Sequence, residues 1–181
     1  VAEGAEAIGA NLPPGLEALS LSFFNSDLAD GGAAAIARGL PRGLRALRLK
    51  CGGCNRMTPS SIEEILRRLP IGVVELELEF EWRSLARVDH CHFPGSVQRL
   101  ELSANAIDDL PPPGPIPFIP ALAGGLRQFR LLSDLRLDFG LCGLSLEQAR
   151  QLVQSLPQHL PGLRLDLGAE VTAEQTEDAW R

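Results

Sequence analysis

Tyrosine is absent from this sequence, and cysteine and histidine are scarce. Its 181 residues include four cysteines and three histidines, and the aromatic fraction is 5%. So few cysteines exclude the dense disulfide framework of a small secreted domain, and so few histidines leave little for acid–base catalysis. No nucleophile arrangement stands out, and the glycine pairs in DGGAAA and LAGGL fall in predicted helices rather than in phosphate-binding loops. The sequence therefore predicts no catalytic residues and no cofactor, and a protein that is not an enzyme.

Concentrated positive charge and long apolar runs are lacking as well. The net charge is −6, which argues against a protein that coats nucleic acid, because that function needs a basic face. The most apolar stretch, residues 116–126, is shorter than the ~18–20 residues of a membrane span and is interrupted by Pro117 and Pro120. With 45% hydrophobic and 22% charged residues, the chain has the composition of a soluble globular domain with a core of its own.

One phrase recurs through the chain: a proline, two residues, an apolar residue, two residues and then Leu-x-Leu. Its copies end in the pairs Leu19 and Leu21, Leu47 and Leu49, Leu76 and Leu78, Leu100 and Leu102, Leu135 and Leu137, and Leu163 and Leu165. The repeats start near residues 16, 44, 73, 97, 132 and 160, so their spacings are 28, 29, 24, 35 and 28. In the copy that starts at 132, Phe129 takes the place of the proline. Such recurrence is typical of a repeat protein.

Each repeat is predicted to form a strand, a loop and a helix. The Leu-x-Leu alternation has period two, so its leucines share one side of the strand. Predicted helices span residues 32–39, 59–69, 84–89, 121–129 and 146–156. Asp30, Thr58 and Ser145 are predicted to cap three of them, and Ser145 with Gln148 spells a capping box.

The whole chain, residues 1–181, is predicted to be one domain. A shift of 28 residues superimposes GAEAIGANLPPG near the start on GAAAIARGLPRG. Residues 1–15 therefore read as the tail of an earlier repeat, and we expect the natural polypeptide to extend upstream. The polar segment 170–181 is predicted to be a C-terminal cap, in which Thr172 with Gln175 spells a second capping box.

The fourth repeat carries the phrase L-x-x-L-x-L-x-x-N-x-I in full, as Val97, Leu100, Leu102, Asn105 and Ile107. This phrase resembles the leucine-rich repeat, and repeats of 28–29 residues with a helix in each are similar to its ribonuclease-inhibitor-like subclass. The resemblance implies an α/β fold: a right-handed leucine-rich-repeat solenoid, or horseshoe, with parallel strands on the concave face and helices on the convex face. It implies no catalytic residues. Extracellular members usually carry cysteine-rich caps, which segment 170–181 lacks, so an intracellular location, cytoplasmic or organellar, is expected.

Members of this family usually bind through the concave face, whose outward residues form three columns across the strands. The third strand position gives Ala18, Ala46, Glu75, Arg99, Asp134 and Gly162. The fifth gives Ser20, Arg48, Glu77, Glu101, Arg136 and Arg164, and the seventh gives Ser22, Lys50, Glu79, Ser103, Asp138 and Asp166. Neighbouring strands lie about 4.8 Å apart, so opposite charges can pair laterally. Two interpretations stay open: a self-neutralising ladder in solvent, or a polar surface that docks a protein partner.

Anchors for a docking surface are few because aromatic residues are few. Phe24 and Trp82, just past their strands, are predicted to be exposed, although Trp82 could equally pack within its loop. The proline-rich stretch 111–120, PPPGPIPFIP, is predicted to be extended, either as a strap that tucks in its apolar side chains or as a protruding recognition loop. The candidate partner contacts are Arg48, Lys50, Glu75, Glu77, Glu79, Trp82, Arg99, Glu101, Arg136 and Phe118.

The cysteines of KCGGCN fit the repeat pattern as core residues. Cys51 falls in an inward column with three phenylalanines and a leucine, and Cys54 shares a loop column with Cys142. A free cysteine in a core behaves as a small hydrophobic residue.

Two other interpretations of KCGGCN stay open. Cys51 and Cys54 could join His90, Cys91 and His92 as zinc ligands, provided that the short third repeat lets them converge. A redox C-x-x-C pair would need an exposed thiolate at a helix start, and no helix is predicted at Cys54.

Three functions follow as hypotheses. The first is a non-catalytic protein–protein interaction or scaffold module that binds a partner through the concave face and the proline-rich edge loop. The second is a structural subunit of a larger assembly, for example an organellar one. The third is a metal or redox protein that uses the cysteines.

Overall fold

Six parallel strands, hydrogen-bonded in sequence order, form one sheet in the computed structural model, which describes residues 2–106 and 116–168. The strands are β1 (Ala18–Ser22), β2 (Ala46–Cys51), β3 (Glu75–Glu81), β4 (Arg99–Asn105), β5 (Asp134–Asp138) and β6 (Gly162–Asp166). The helices are α1 (Ala2–Asn11), α2 (Asp30–Gly39), α3 (Pro59–Arg67), α4 (Trp82–Leu85), α5 (Phe118–Leu126) and α6 (Leu146–Ser155). Predictions for Ile107, for residues 111–115, for Thr172 with Gln175 and for the cap at 170–181 lie outside the described residues.

The register of the sheet places equivalent positions of successive repeats side by side. One row of paired residues runs Leu19, Leu47, Leu76, Leu100, Leu135 and Leu163. The three outward columns predicted from the sequence are paired position by position in the same way. Parallel strands in sequence order with a helix in each crossover confirm the leucine-rich-repeat solenoid, with its strands on the concave face and its helices on the convex face.

The inward leucines form the core between the sheet and the helices. In β2 and β3, every Leu-x-Leu side chain is at most 2% exposed, and burying one leucine contributes about 1.5–3 kcal/mol. Leu19 and Leu21 of β1 are only partly buried, because β1 is the last strand at its edge of the sheet. Apolar surface therefore stays accessible beside β1.

The helix starts agree with the sequence at Ser145 and differ at Asp30. Ser145 and Gln148 form the predicted capping box of α6. Asp30, in contrast, is the first residue of α2, and its carboxylate accepts hydrogen bonds from the backbone N–H and hydroxyl of Thr58, at 2.8 and 2.9 Å. Thr58 does precede α3, but its hydroxyl donates to Asp30 and makes no capping hydrogen bond to α3. Asp30 thus joins two repeats instead of capping one.

The hydrogen bonds that Asp30 accepts affect its pKa. Partial desolvation raises the pKa of Asp30, but hydrogen bonds from Thr58 and Ser61 outweigh it, so the pKa lies below the ordinary aspartate value. The contact between α2 and α3 is therefore formed with the ionised carboxylate.

The end of the proline-rich stretch is helical rather than extended. Pro117 is the N-cap of α5, and Phe118 and Pro120 lie in its first turn. Proline is tolerated there because the first-turn N–H groups have no intrahelical partner to lose. Consequently α5 begins three residues before its predicted start, and α4 likewise begins at Trp82 rather than at residue 84. None of the helices in residues 2–106 and 116–168 has the length and apolarity needed to cross a bilayer.

Candidate functional site

Exposed charges cover the concave face and pair between neighbouring strands. Glu77 of β3 forms ion pairs with two cations of β2: Arg48 Nε lies 2.6 Å from Oε2, and Lys50 Nζ lies 2.9 Å from Oε1. The hydrogen bond and charge of Glu77 raise the pKa of Lys50 above its ordinary value. One glutamate of β3 therefore pairs with both cations of β2 and offsets one of their two positive charges.

The pairing continues along the sheet toward β5. Arg99 pairs with Glu75, and Arg136 Nη1 lies 3.4 Å from Glu101 Oε1. Arg136 also approaches Asp138 of its own strand at 3.9 Å. All five side chains are more than a third exposed, so each pair contributes about 0–1 kcal/mol to stability.

Between β5 and β6, side chains of opposite charge no longer face each other across the sheet. Arg164 lies opposite Arg136, and Asp166 opposite Asp138. Within residues 2–106 and 116–168, neither Arg164 nor Asp134 has a charged partner within 4.0 Å. These two side chains and the pairs beside them line a shallow depression of about 290 Å³ on the concave face.

Trp82 is not on this surface, so its predicted exposure is wrong. Its side chain is 2% exposed and packs against Phe118 and Phe139, with ring centroids 6.2 and 6.0 Å away. The alternation of β3 ends at Glu81, and α4 begins with Trp82, which turns the indole under the sheet. Phe118 is 0% exposed, so it too cannot serve as a partner contact. Both aromatic residues belong to the core.

Phe24 is exposed as predicted, with half of its surface accessible. It follows β1 at the rim of the concave face, and its ring and the Glu79 carboxylate both border Gly52. Leu141, after β5, is 80% exposed near the same rim. The opposite rim carries Ile71 and Leu131, which precede β3 and β5 and are 89% and 56% exposed. Sequence reasoning missed these three aliphatic residues, because each lies in a loop without periodicity.

The KCGGCN loop is part of the core. Cys51 and Cys54 are both 0% exposed, and Cys142 is 1% exposed. The thiol of Cys54 donates to the carbonyl oxygen of Phe23 at 3.0 Å, and the Glu81 carboxylate accepts from the N–H of Gly53 at 3.3 Å. Gly53 has φ +73°, a conformation that favours glycine.

The two thiols of this loop differ in acidity. The hydrogen bond with Cys54 and burial raise the pKa of Cys51, and the same hydrogen bond lowers the pKa of Cys54 to about 6. Burial raises the pKa values of Cys91 and Cys142 to about 12. Cys54 is thus the most acidic thiol, but its complete burial keeps it from acting as an accessible redox nucleophile.

His90 lies on the convex side and does not converge with Cys51 or Cys54. Its imidazole is 85% exposed and pairs with Asp89. In the part of the chain that the structure describes, the one group of three or more metal-ligating side chains that converge consists of Glu63, Asp89 and His90. The zinc site predicted from Cys51 and Cys54 with the histidines is therefore not assembled.

Comparison with known proteins adds a likeness of fold. No protein-family model matches the sequence, and a search of curated proteins finds no match. Among solved structures, the chain is similar to the leucine-rich repeat-containing protein LegL7 from Legionella pneumophila, with 18% identity and a TM-score of 0.48 over 88% of the chain. The chain spans about half the length of that structure. The assignment of the fold rests on the strand order and register of the chain itself.

Proposed function

We propose that this chain is a non-catalytic interaction module that binds a protein partner through its concave face. The observation that carries the proposal is the set of three outward-facing columns, in register over six strands and rich in charge. The contacts proposed are Arg48, Lys50, Glu75, Glu77, Glu79, Arg99, Glu101 and Arg136, with Phe24 replacing Trp82 and Phe118 as the aromatic anchor.

The character of this face favours a protein over a small molecule. Small-molecule sites are mostly apolar, whereas the depression here is lined mainly by charged side chains. Exposed ion pairs contribute little free energy. Arg48 or Arg99 can therefore exchange its present partner for an acidic side chain of another protein with little loss of stability. Such exchange gives specificity by charge complementarity.

The small size of the face supports contacts between the partner and its rim as well. Six strands about 4.8 Å apart and about five residues long give roughly 24 by 17 Å, or about 400 Å². A stable interface buries about 800 Å² per partner. The missing area lies in the loops at the strand ends, where Phe24 and Leu141 supply exposed apolar surface.

The proposal is tested on a partner that the wild-type chain captures from its own cells and that is then purified. We expect Arg48→Glu and Phe24→Ala each to weaken binding at least tenfold, because the first reverses a contact charge and the second removes the aromatic anchor. The matched controls on the convex side, Arg150→Glu in α6 and Ile8→Ala in α1, should bind like wild type. Calorimetric titration measures all four.

A second function, a structural subunit of a larger assembly, is favoured by the apolar edge at β1. Leu16, Leu19, Leu21 and Phe23 are only partly buried there, and another Leu-x-Leu strand, from an upstream repeat of the same polypeptide or from a neighbouring subunit, could extend the sheet across that edge. The same titration separates the two functions. If Arg48→Glu and Phe24→Ala bind like wild type while a folded Leu21→Glu variant does not, the partner sits on the edge and the concave-face proposal is wrong.

A further inference from the structure

Three potential metal ligands meet on the convex side of the molecule. Glu63 lies on α3, and Asp89 and His90 lie in the segment that connects α4 to β4. One ligand atom from each side chain lies within 4.8 Å of the other two. Neither the repeat pattern nor the proposed interaction surface uses these residues.

Buried side chains on both sides of the histidines hold their segment against the core. Val88 is completely buried, and Phe93 is 6% exposed with its ring 5.6 Å from that of Phe129. Between these anchors the chain is neither helix nor strand, and His90 and His92 are exposed while Cys91 between them is partly buried. Both histidines border the same depression beside α3.

Contacts with α3 fix this segment near Glu63. The backbone N–H of Asp89 donates to Glu63 Oε1 at 3.4 Å. Glu63, His90 and His92 line one depression of about 370 Å³ between the segment and α3. The carboxylate of Glu63 and both imidazoles therefore line the same open space, and Asp89 has a ligand atom within 4.8 Å of those of Glu63 and His90.

We propose that Glu63, Asp89 and His90 bind a Zn²⁺ ion, with His92 or water as the fourth ligand. Zinc takes carboxylate oxygen and imidazole nitrogen at about 2.0–2.2 Å, so two ligands of one tetrahedral ion lie about 3.3 Å apart. The ligand atoms here lie within 4.8 Å of one another, and the exposed side chains of Asp89 and His90 can close that gap by rotation. Two carboxylates also match the charge of the ion.

The cation nearest to this site is held by an acidic neighbour. Arg67 lines the same depression, but it pairs with Glu64, which also binds Arg68. Glu64 is thus occupied by two guanidinium groups, and its single negative charge offsets part of the positive charge of Arg67. Binding here would account for the HCH tripeptide without the buried cysteines.

The test is a competition titration of the purified chain with Zn²⁺ against a chromophoric chelator. We expect one Zn²⁺ per wild-type chain, and at least tenfold weaker binding by His90→Ala and by Glu63→Gln, which remove exposed or half-exposed ligands from a surface site. His159→Ala, at the remaining histidine, is the matched control and should leave the affinity unchanged, as should Cys54→Ser.

Three results would overturn the assignment. The first is no stoichiometric binding by the wild-type chain, and the second is equal affinity of wild type, His90→Ala and Glu63→Gln. The third comes from Cd²⁺ in place of Zn²⁺: a thiolate-to-metal charge-transfer absorption that Cys54→Ser abolishes would place the site at the cysteines. Because none of these variants lies on the concave face, partner binding can be scored separately.

Discussion

Replacing Trp82 by alanine is expected to lower the free energy of unfolding by about 3–5 kcal/mol, the usual cost of removing a large buried aromatic side chain. The indole is 2% exposed and touches Phe118 of α5 and Phe139 after β5. It therefore joins the third, fourth and fifth repeats, and its loss leaves a cavity that rigid neighbouring strands cannot close. Urea denaturation followed by circular dichroism measures the change.

Two further variants test whether the effect depends on the burial of the aromatic side chain. Phe24→Ala should cost less than about 1 kcal/mol, because that ring is half exposed and surface substitutions have small effects. Trp82→Phe should cost less than Trp82→Ala, since it keeps much of the volume and removes an indole N–H that has no hydrogen-bond partner among residues 2–106 and 116–168. Equal, small effects of Trp82→Ala and Phe24→Ala would contradict the burial of Trp82.

Replacing Gly39 by alanine is expected to detach α1 from α2. A Cβ at Gly39 would lie 2.6 Å from the carbonyl carbon of Gly9 and closer still to its oxygen. The reverse contact is as tight, because a Cβ at Gly9 would lie 2.6 Å from the carbonyl carbon of Ala35. Backbone meets backbone here, so no side-chain rotation can make room.

Hydrogen exchange read by mass spectrometry reports this detachment directly. In Gly39→Ala we expect the amides of residues 6–11 to exchange at least tenfold faster, while the strands β2–β5 keep their protection. Gly4→Ala is the matched control, because a Cβ there meets nothing within 4 Å and alanine favours the helix by up to about 1 kcal/mol. Unchanged protection of α1 in Gly39→Ala would show that the two helices do not meet through these glycines.

The sheet was predictable because its pattern is local and repeated. The Leu-x-Leu pairs and their spacing fix which residues face inward, and parallel pairing in sequence order then aligns the columns without further information. Cys51 and Cys54 could be placed in the core by the same rule. The capping box at Ser145 involves two residues only three positions apart, so it was predictable as well.

Features that depend on contacts between repeats were not predictable. Whether Asp30 caps its own helix or accepts from Thr58 depends on how closely α2 and α3 approach. Trp82 was misplaced because a residue just past the end of its strand was expected to lie in an exposed loop, whereas a buried helix begins there. The convergence of Glu63 with His90 requires knowing how the short third repeat crosses α3, and no periodicity in the sequence encodes that crossing.

The charge ladder allowed two interpretations, and the geometry sharpens the difference between them. Glu75 and Arg99 form a single exposed pair between β3 and β4. If the pair serves only to neutralise the face, it does not matter which of the two strands carries the positive charge. If the face docks a partner, the position of each sign matters.

Exchanging the two charges tests the central claim most directly. The double variant Glu75→Arg with Arg99→Glu keeps the net charge and the lateral pair, so its free energy of unfolding should stay within about 0.5 kcal/mol of wild type. We predict that its affinity for the purified partner falls at least tenfold in the calorimetric titration. Wild-type affinity in this variant would contradict binding through the concave face.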